Sequence, residues 1–111
     1  MAAYKSSAKG VITPLQSAVT TGTGTGVVIP ISAHNPRVHM RAAGTITGGT
    51  VVLEEASVPT YTGTWSTLYT YTPTTDSEQV IHILGTVGAI RTRVTSNITG
   101  GGTVTAELVS D

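Results

Sequence analysis

Hydrophobic and polar residues alternate along much of this chain with a period of two, as expected for β-strands whose two faces differ. The alternation is clearest over residues 37–42, where apolar side chains have one parity and basic ones the other: Val38, Met40 and Ala42 against Arg37, His39 and Arg41. No stretch carries apolar residues at the 3.6-residue spacing of an amphipathic helix over three turns. The pattern therefore predicts an all-β chain.

The same pattern occurs twice. Shifting the sequence by 52 residues aligns residues 28–49 with residues 80–101 without a gap, and both copies end on Ile-Thr-Gly-Gly. One extra glycine, Gly102, then changes the offset to 53. We interpret the alignment as an internal repeat that divides the chain into two similar four-strand halves, residues 15–57 and 65–110.

Each half predicts four short strands bounded by turn residues, at 15–20, 27–31, 37–46 and 50–57 and again at 65–72, 79–84, 89–98 and 103–110. The third and fourth strands of each half are predicted to form a hairpin around Thr-Gly-Gly, because glycine adopts the positive φ of a tight turn. Eight short strands predict an eight-stranded β-sandwich of jelly-roll or immunoglobulin-like type. Residues 15–111 would form this single domain.

Residues 1–14 are predicted to be an extended N-terminal arm, because they carry too little apolar surface to belong fully to the core. This segment could be a frayed terminus or an arm that orders on a neighbouring subunit. In the second case its larger and charged side chains, Tyr4, Lys5 and Lys9, are the candidate contacts between subunits.

The alternation also predicts ion pairs on the outer faces of the sandwich. All four arginines fall on the outward parity of equivalent strands, and Glu54 and Glu107 are equivalent under the repeat. We expect Arg41 and Arg93 to face these two glutamates across neighbouring strands. Exposed pairs of this kind fix register more than they add stability.

Composition narrows the classes of function. The chain of 111 residues has 22 threonines, 13 glycines and no cysteine, so disulfides and thiolate metal sites are excluded. Charged residues make up 11% and the net charge is zero, unlike the basic surface of a nucleic-acid binder. No apolar run has the length of a signal peptide or a membrane span. We expect neither nucleic acid nor membrane as a partner.

Candidate chemistry is sparse. The three histidines, His34, His39 and His82, lack the short spacing of a zinc site. Glu54 and Glu55 are adjacent, so in a strand they point to opposite faces and cannot act as an acid–base pair. The glycine-rich residues 21–26 lack the lysine of a phosphate loop and are predicted to form a mobile inter-strand loop. We predict no enzymatic activity, no metal and no cofactor.

Aromatic residues between positions 61 and 71 leave one alternative open: Tyr61, Trp65, Tyr69 and Tyr71. If their rings were exposed they would form a sugar-binding platform, and the chain would be a carbohydrate-binding module with a glycan as partner. A tryptophan at the entry of a strand more often plugs the end of a sandwich core, which is the role we favour for Trp65.

Several short sequence segments, in the order in which they occur, resemble those of a family of small β-sandwich virion proteins of tailed bacteriophages. They are Leu15-Gln-Ser-Ala-Val-Thr-Thr-Gly-Thr-Gly, Ile46-Thr-Gly-Gly-Thr-Val-Val-Leu-Glu-Glu-Ala-Ser, Gly63-Thr-Trp-Ser-Thr-Leu68, and the longer segment from Ile90 to Ala106. The resemblance implies a structural role in the virion. The leading expectation is a capsid decoration or cement protein, with a neck, collar or tail protein as the alternative.

A decoration or cement protein also implies particular partners and a particular location. We expect a homotrimer that is made in the host cytoplasm and is seated on the capsid surface. Its other partner would be the major capsid protein or another virion protein.

Overall fold

Period-two segments and glycine-rich connections build eight β-strands in the computed structural model, which describes residues 11–84 and 88–111. The strands are β1 (Val11–Val19), β2 (Val27–Val28), β3 (Arg37–Ala43), β4 (Gly48–Ala56), β5 (Ser66–Tyr71), β6 (Glu78–His82), β7 (Ala89–Thr99) and β8 (Thr103–Ser110). The described residues contain no helix, and so none that could cross a membrane. The prediction of an all-β chain is confirmed.

The strands form two four-stranded antiparallel sheets. The first sheet has the order β1-β8-β3-β6 and the second has the order β2-β7-β4-β5. This is the strand order of an eight-stranded jelly roll, whereas an immunoglobulin sandwich groups its strands differently. The predicted β-sandwich is confirmed, and the strand order selects the jelly roll.

The two predicted Thr-Gly-Gly hairpins are wrong. β3 lies in the first sheet and β4 in the second, while β7 lies in the second sheet and β8 in the first. Residues 44–47 and residues 100–102 are therefore connections between sheets. Local sequence does not distinguish the two cases, because glycines with positive φ serve a crossing between sheets as well as a reversal within one.

The two connections lie against each other. The backbone N–H of Thr47 donates to the carbonyl oxygen of Thr99 over 2.8 Å, and the hydroxyl oxygens of these two residues are 3.0 Å apart. Thr47 and Thr99 are equivalent under the 52-residue repeat. Gly100 has a φ of 111°, and a Cβ there would lie 2.7 Å from the carbonyl oxygen of Thr45. This glycine therefore permits the close approach of two chain segments.

The repeat is present in the strand pairing. Each half contributes two strands to each sheet, and the repeat offset converts the order of the first sheet into that of the second. The central ladders have the same register, since Met40 pairs with Ala106 and the equivalent Thr92 pairs with Leu53. A β-bulge recurs as well: pairing skips one residue of each edge strand, and those residues are the equivalent Leu15 and Leu68. The halves are thus similar but interleaved.

The core lies between the two sheets and includes the residues of β3 that were predicted to face inward, Val38, Met40 and Ala42. Its buried members are Leu15, Val38, Met40, Ala42, Ile46, Val51, Leu53, Tyr71, Ile83, Ile90, Ile98, Val104, Ala106 and Leu108. Thr92 is the fully buried polar residue among the inward positions of β7. Its hydroxyl donates to Oε1 of Gln16 over 2.8 Å, so this buried hydroxyl has a hydrogen-bond partner.

The N-terminal boundary of the sandwich differs from the prediction. β1 begins at Val11, which pairs with Ser110, so residues 11–14 belong to the first sheet and not to an arm. Pro14 is compatible with this position because β1 is an edge strand. The segment that precedes the sandwich is therefore residues 1–10, which lie outside the described residues.

The glycine-rich segment before β2 is not a free loop. Its backbone follows β7: Gly24 N–H donates to the Thr92 carbonyl and Val94 N–H donates to the Gly22 carbonyl, each over 2.8 Å. A Cβ at Gly24 would collide with the carbonyl oxygen of Leu15. The glycines allow this segment to lie closely between β7 and the bulged part of β1.

Candidate interaction surfaces

Glu54 on β4 is a buried carboxylate on the outer face of the second sheet. Alternation turns it away from its inward neighbour Leu53, yet it is only 2% exposed. Arg91 Nε donates to its Oε1 over 2.9 Å, and Arg93 Nη2 donates to its Oε2 over 2.8 Å. We call these three charged residues, Glu54, Arg91 and Arg93, the buried triad after its buried carboxylate, since the two arginine side chains are 22% and 40% exposed.

Hydrogen bonds keep the buried triad charged. Burial acts to raise the pKa of Glu54, but the hydrogen bonds from Arg93 and Arg91 outweigh burial and lower this pKa below its ordinary value. The hydrogen bond to Glu54 in turn raises the pKa of Arg93. A buried carboxylate with this many donors is satisfied in its ionised form.

Trp65 covers the buried triad. The guanidinium carbon of Arg91 lies 4.2 Å from the centre of the indole ring, a cation–π contact. The indole Nε1 donates to the carbonyl oxygen of Tyr61 over 2.9 Å. Trp65 is 4% exposed but does not belong to the core cluster between the sheets. It is buried as expected, but against the outer face of the second sheet and not at the end of the core.

The outer face of the first sheet carries the equivalent carboxylate, Glu107, in a more open setting. Arg41 Nη1 donates to Glu107 Oε1 over 2.8 Å, and the two side chains are 45% and 24% exposed. This hydrogen bond raises the pKa of Arg41. His39 occupies the position equivalent to Arg91, and its Nδ1 lies 3.4 Å from Oε2 of Glu78.

The structure thus joins Arg41 to Glu107 and Arg93 to Glu54. Both pairs connect the two halves of the repeat, because β3 pairs with β8 and β7 pairs with β4. Sequence reasoning missed the participation of Arg91 and the burial of Glu54. The available signal was the match in register between Arg91 and Glu54, which follows only once the sheet order is known.

One end of the sandwich, which we call the polar end, consists of the connections 44–47, 72–77 and 100–102. These threonine- and glycine-rich connections bond to one another: Gly44 N–H donates to Asp76 Oδ1 over 2.8 Å, and Ile46 N–H donates to Thr75 Oγ1 over 3.1 Å. The side chain of Ile46 is buried in the core. The polar end therefore satisfies its own hydrogen bonds and leaves little apolar surface for a partner.

The opposite end, which we call the apolar end, consists of residues 29–36, 57–62 and 83–84 with Val11 and Asp111. Backbone hydrogen bonds of 3.0 Å from Ile83 to Pro36 and of 2.9 Å from Asp111 to His34 hold its segments together. Large apolar side chains are exposed here: Val11, Ile31, Val58, Tyr61 and Leu84, with Ile31 fully exposed and Leu84 87% exposed. The two ends of the sandwich thus differ strongly in the surface they offer.

A cavity of about 130 Å³ opens beside β1 at the apolar end. Its walls combine apolar and polar groups: Val11, Pro30, Ala33 and Leu108 with Thr13, Ser32, Ser110 and Asp111. Arg37 Nη1 lies 3.2 Å from Oδ1 of Asp111. An apolar cavity of about 150 Å³ accommodates benzene. This cavity is therefore of a size to receive about one aromatic ring, with polar groups at hand for a hydroxyl.

Within residues 11–84 and 88–111, no group of three or more histidine or acidic side chains could hold a metal ion. Comparison with known proteins gives no match to a family model, to a curated protein or to a solved structure. The function of the chain therefore has to be inferred from its surfaces.

Proposed function

We propose that this chain is a non-enzymatic structural protein of a tailed-bacteriophage virion. Its role would be that of a homotrimeric decoration or cement protein, made in the host cytoplasm and bound to the capsid surface. The resemblance of four sequence segments, in their order along the chain, to small phage virion proteins supports the virion assignment. The apolar end is the structural observation that supports a role in assembly.

The contrast between the two ends supports assembly over a soluble monomeric role. Scattered exposed apolar residues are normal on a monomer, but apolar residues that cluster on one surface mark interaction sites. Ile31 and Leu84 are exposed on neighbouring connections of the apolar end. In a lattice of many copies, even weak contacts through such a surface add to a stable attachment.

The first alternative is a neck, collar or tail protein, which would use the same surfaces at another place in the particle. The second alternative, a carbohydrate-binding module, has less support. The ring that would best form a sugar platform, Trp65, is 4% exposed and packs against Arg91 and the segment that contains Tyr61. Tyr61 itself is exposed, but a single ring is a small platform.

The assignment can be tested by co-sedimentation of the purified protein with phage heads that lack it, beside isolated tails. We expect saturable binding to heads, with a number of bound copies that is a multiple of three. Combined Ile31→Ser and Leu84→Ser substitutions should weaken binding at least about tenfold, or about 1.4 kcal/mol. Val80→Ser, at an exposed residue in the middle of β6, is the matched control and should bind like the wild type.

Binding to tails alone would favour the first alternative, a neck, collar or tail protein. A protein that sediments with neither structure but binds polysaccharide would contradict the virion role.

A further inference from the structure

The first ten residues carry a distinctive chemistry. They contain one aromatic residue, Tyr4, two lysines, Lys5 and Lys9, and no acidic residue. The rest of the chain holds the four arginines and all six acidic residues, which gives it a formal charge of −2 against +2 for the first ten residues. The segment and the sandwich are therefore complementary in charge.

The segment joins the sandwich at the apolar end. Val11, the first residue of β1, pairs with Ser110 near the end of β8 and also lines the cavity. Ten extended residues reach about 33 Å. This length allows the segment to contact a neighbouring molecule.

The cavity matches the one aromatic side chain of the segment. Val11, Pro30 and Ala33 offer apolar contact to a ring, while Ser32 and Ser110 offer hydrogen bonds. Tyrosine combines an apolar ring with a hydroxyl that needs a partner when it is buried. The exposed Ile31 lies between two cavity residues, so a segment that inserts Tyr4 would also cover part of the apolar end.

We propose that this cavity receives Tyr4 from a second copy of this chain. Residues 1–10 of one copy cross to the apolar end of the next, and each copy both gives and receives one segment. Such a head-to-tail contact closes into a ring when its rotation permits, which is how it would generate a trimer. The inference rests on the proposed function, because that function requires the copies to assemble.

Disulfide trapping tests this contact directly, because the natural chain has no cysteine. Ala3→Cys places a thiol beside Tyr4 and leaves the ring in place, while Ser32→Cys places one at the cavity. The two single variants are tagged differently, mixed and oxidised. We expect the Ala3–Ser32 linked heterodimer to form at least about tenfold faster than with Thr74→Cys, which places a thiol at the polar end. Adding Tyr4→Ala to the Ala3→Cys chain should remove this preference.

The double variant Ala3→Cys with Ser32→Cys separates the two sources of the segment. Linkage within one chain at high dilution, with no linkage between the mixed single variants, would show that a chain fills its own cavity and would overturn the proposal. Equal trapping at Ser32 and at Thr74 would overturn it as well. Absence of trapping with intact head binding would overturn the contact and leave the virion role standing, whereas trapping without head binding would support the contact and remove only that role.

Discussion

The outer faces of the two sheets place equivalent carboxylates in different environments. Glu54 and Glu107 lie on central strands with the same register and each accepts a hydrogen bond from the equivalent arginine, Arg93 or Arg41. Glu54 is almost fully buried and has a second arginine, while Glu107 is partly open to solvent. Register decides which side chains meet, but it does not decide how far they are removed from water.

Coverage explains the difference. Under the 53-residue offset, Trp65 on the second sheet corresponds to Ile12 on the first. Trp65 stacks over Arg91 and is 4% exposed, whereas Ile12 is 60% exposed. One face is thus completed by residues of its own chain, and the other is left open beside the apolar end. The two sheets thus have the same strand order under the repeat but differ in how far their outer faces are covered.

The largest difference in the free energy of unfolding is expected between variants of Trp65 and of its equivalent Ile12. Trp65→Ala should lower the free energy of unfolding by about 3–5 kcal/mol, because it removes a large buried ring and exposes the buried triad. Ile12→Ala, its equivalent, should cost about 0.5 kcal/mol or less, as exposed positions do. Urea unfolding of both variants measures the difference. Similar losses for the two variants would contradict the assignment of Trp65 as a cover.

Replacing the carboxylates should likewise cost more stability on the second sheet than on the first. Glu54→Gln weakens the charged hydrogen bonds to Arg91 and Arg93, whose side chains are 22% and 40% exposed, and should cost about 2 kcal/mol. Glu107→Gln affects a partly exposed pair and should cost about 1 kcal/mol or less. Unfolding at neutral pH compares them. If Glu107→Gln proved as costly as Glu54→Gln, coverage would not be what separates the two faces.

Acidic pH should remove the stabilisation that ionised Glu54 contributes to the folded protein. Arg93 and Arg91 hold the pKa of Glu54 below its ordinary value in the folded state. The resulting stability is present above the pKa of the unfolded chain, about 4.3, and is lost as the pH falls through the folded pKa. The stability gap between wild type and Glu54→Gln should therefore be full at neutral pH and shrink in this acidic range. A gap that stays constant on acidification would mean that the pKa of Glu54 is the same in the folded and the unfolded chain, and a gap that grows would mean that folding raises this pKa.

The smallest effect tests whether the open face can be made to resemble the covered one. His39 occupies the position of Arg91 and is directly opposite Glu107. His39→Arg would supply a second cation to that carboxylate and should stabilise the protein by about 0.2–1 kcal/mol at low ionic strength. The gain should decrease at high salt. Destabilisation in unfolding experiments would show that the equivalence does not extend to this side chain.

The parities of the strands could be predicted from the sequence, because alternation reports directly which side chains point inward. The inward positions Val38, Met40, Leu53 and Ile90 are all buried. The hairpins were wrong because a repeat of four strands is compatible with separate halves or with interleaved ones. Long-range pairings, such as β3 with β8 and β4 with β7, distinguish the two, and no local pattern encodes these contacts.

The burial of Glu54 could not be predicted for a related reason. Alternation gives the side on which a residue lies, but not what covers that side. The cover, Trp65, follows the connection after β4 and reaches Arg91 on β7. The apolar end was missed because Ile31 and Leu84 lie in different connections, and only the fold brings these to one end.

The sandwich should fold by itself, and residues 1–10 should serve to assemble it. Sedimentation equilibrium of the full chain and of a chain that starts at Val11, with a thermal melt of each, separates these two roles. We expect melting temperatures within a few degrees, a full chain of three times 11.3 kDa, and self-association at least about tenfold weaker without residues 1–10. Equal masses for both chains over the same concentration range would contradict the account.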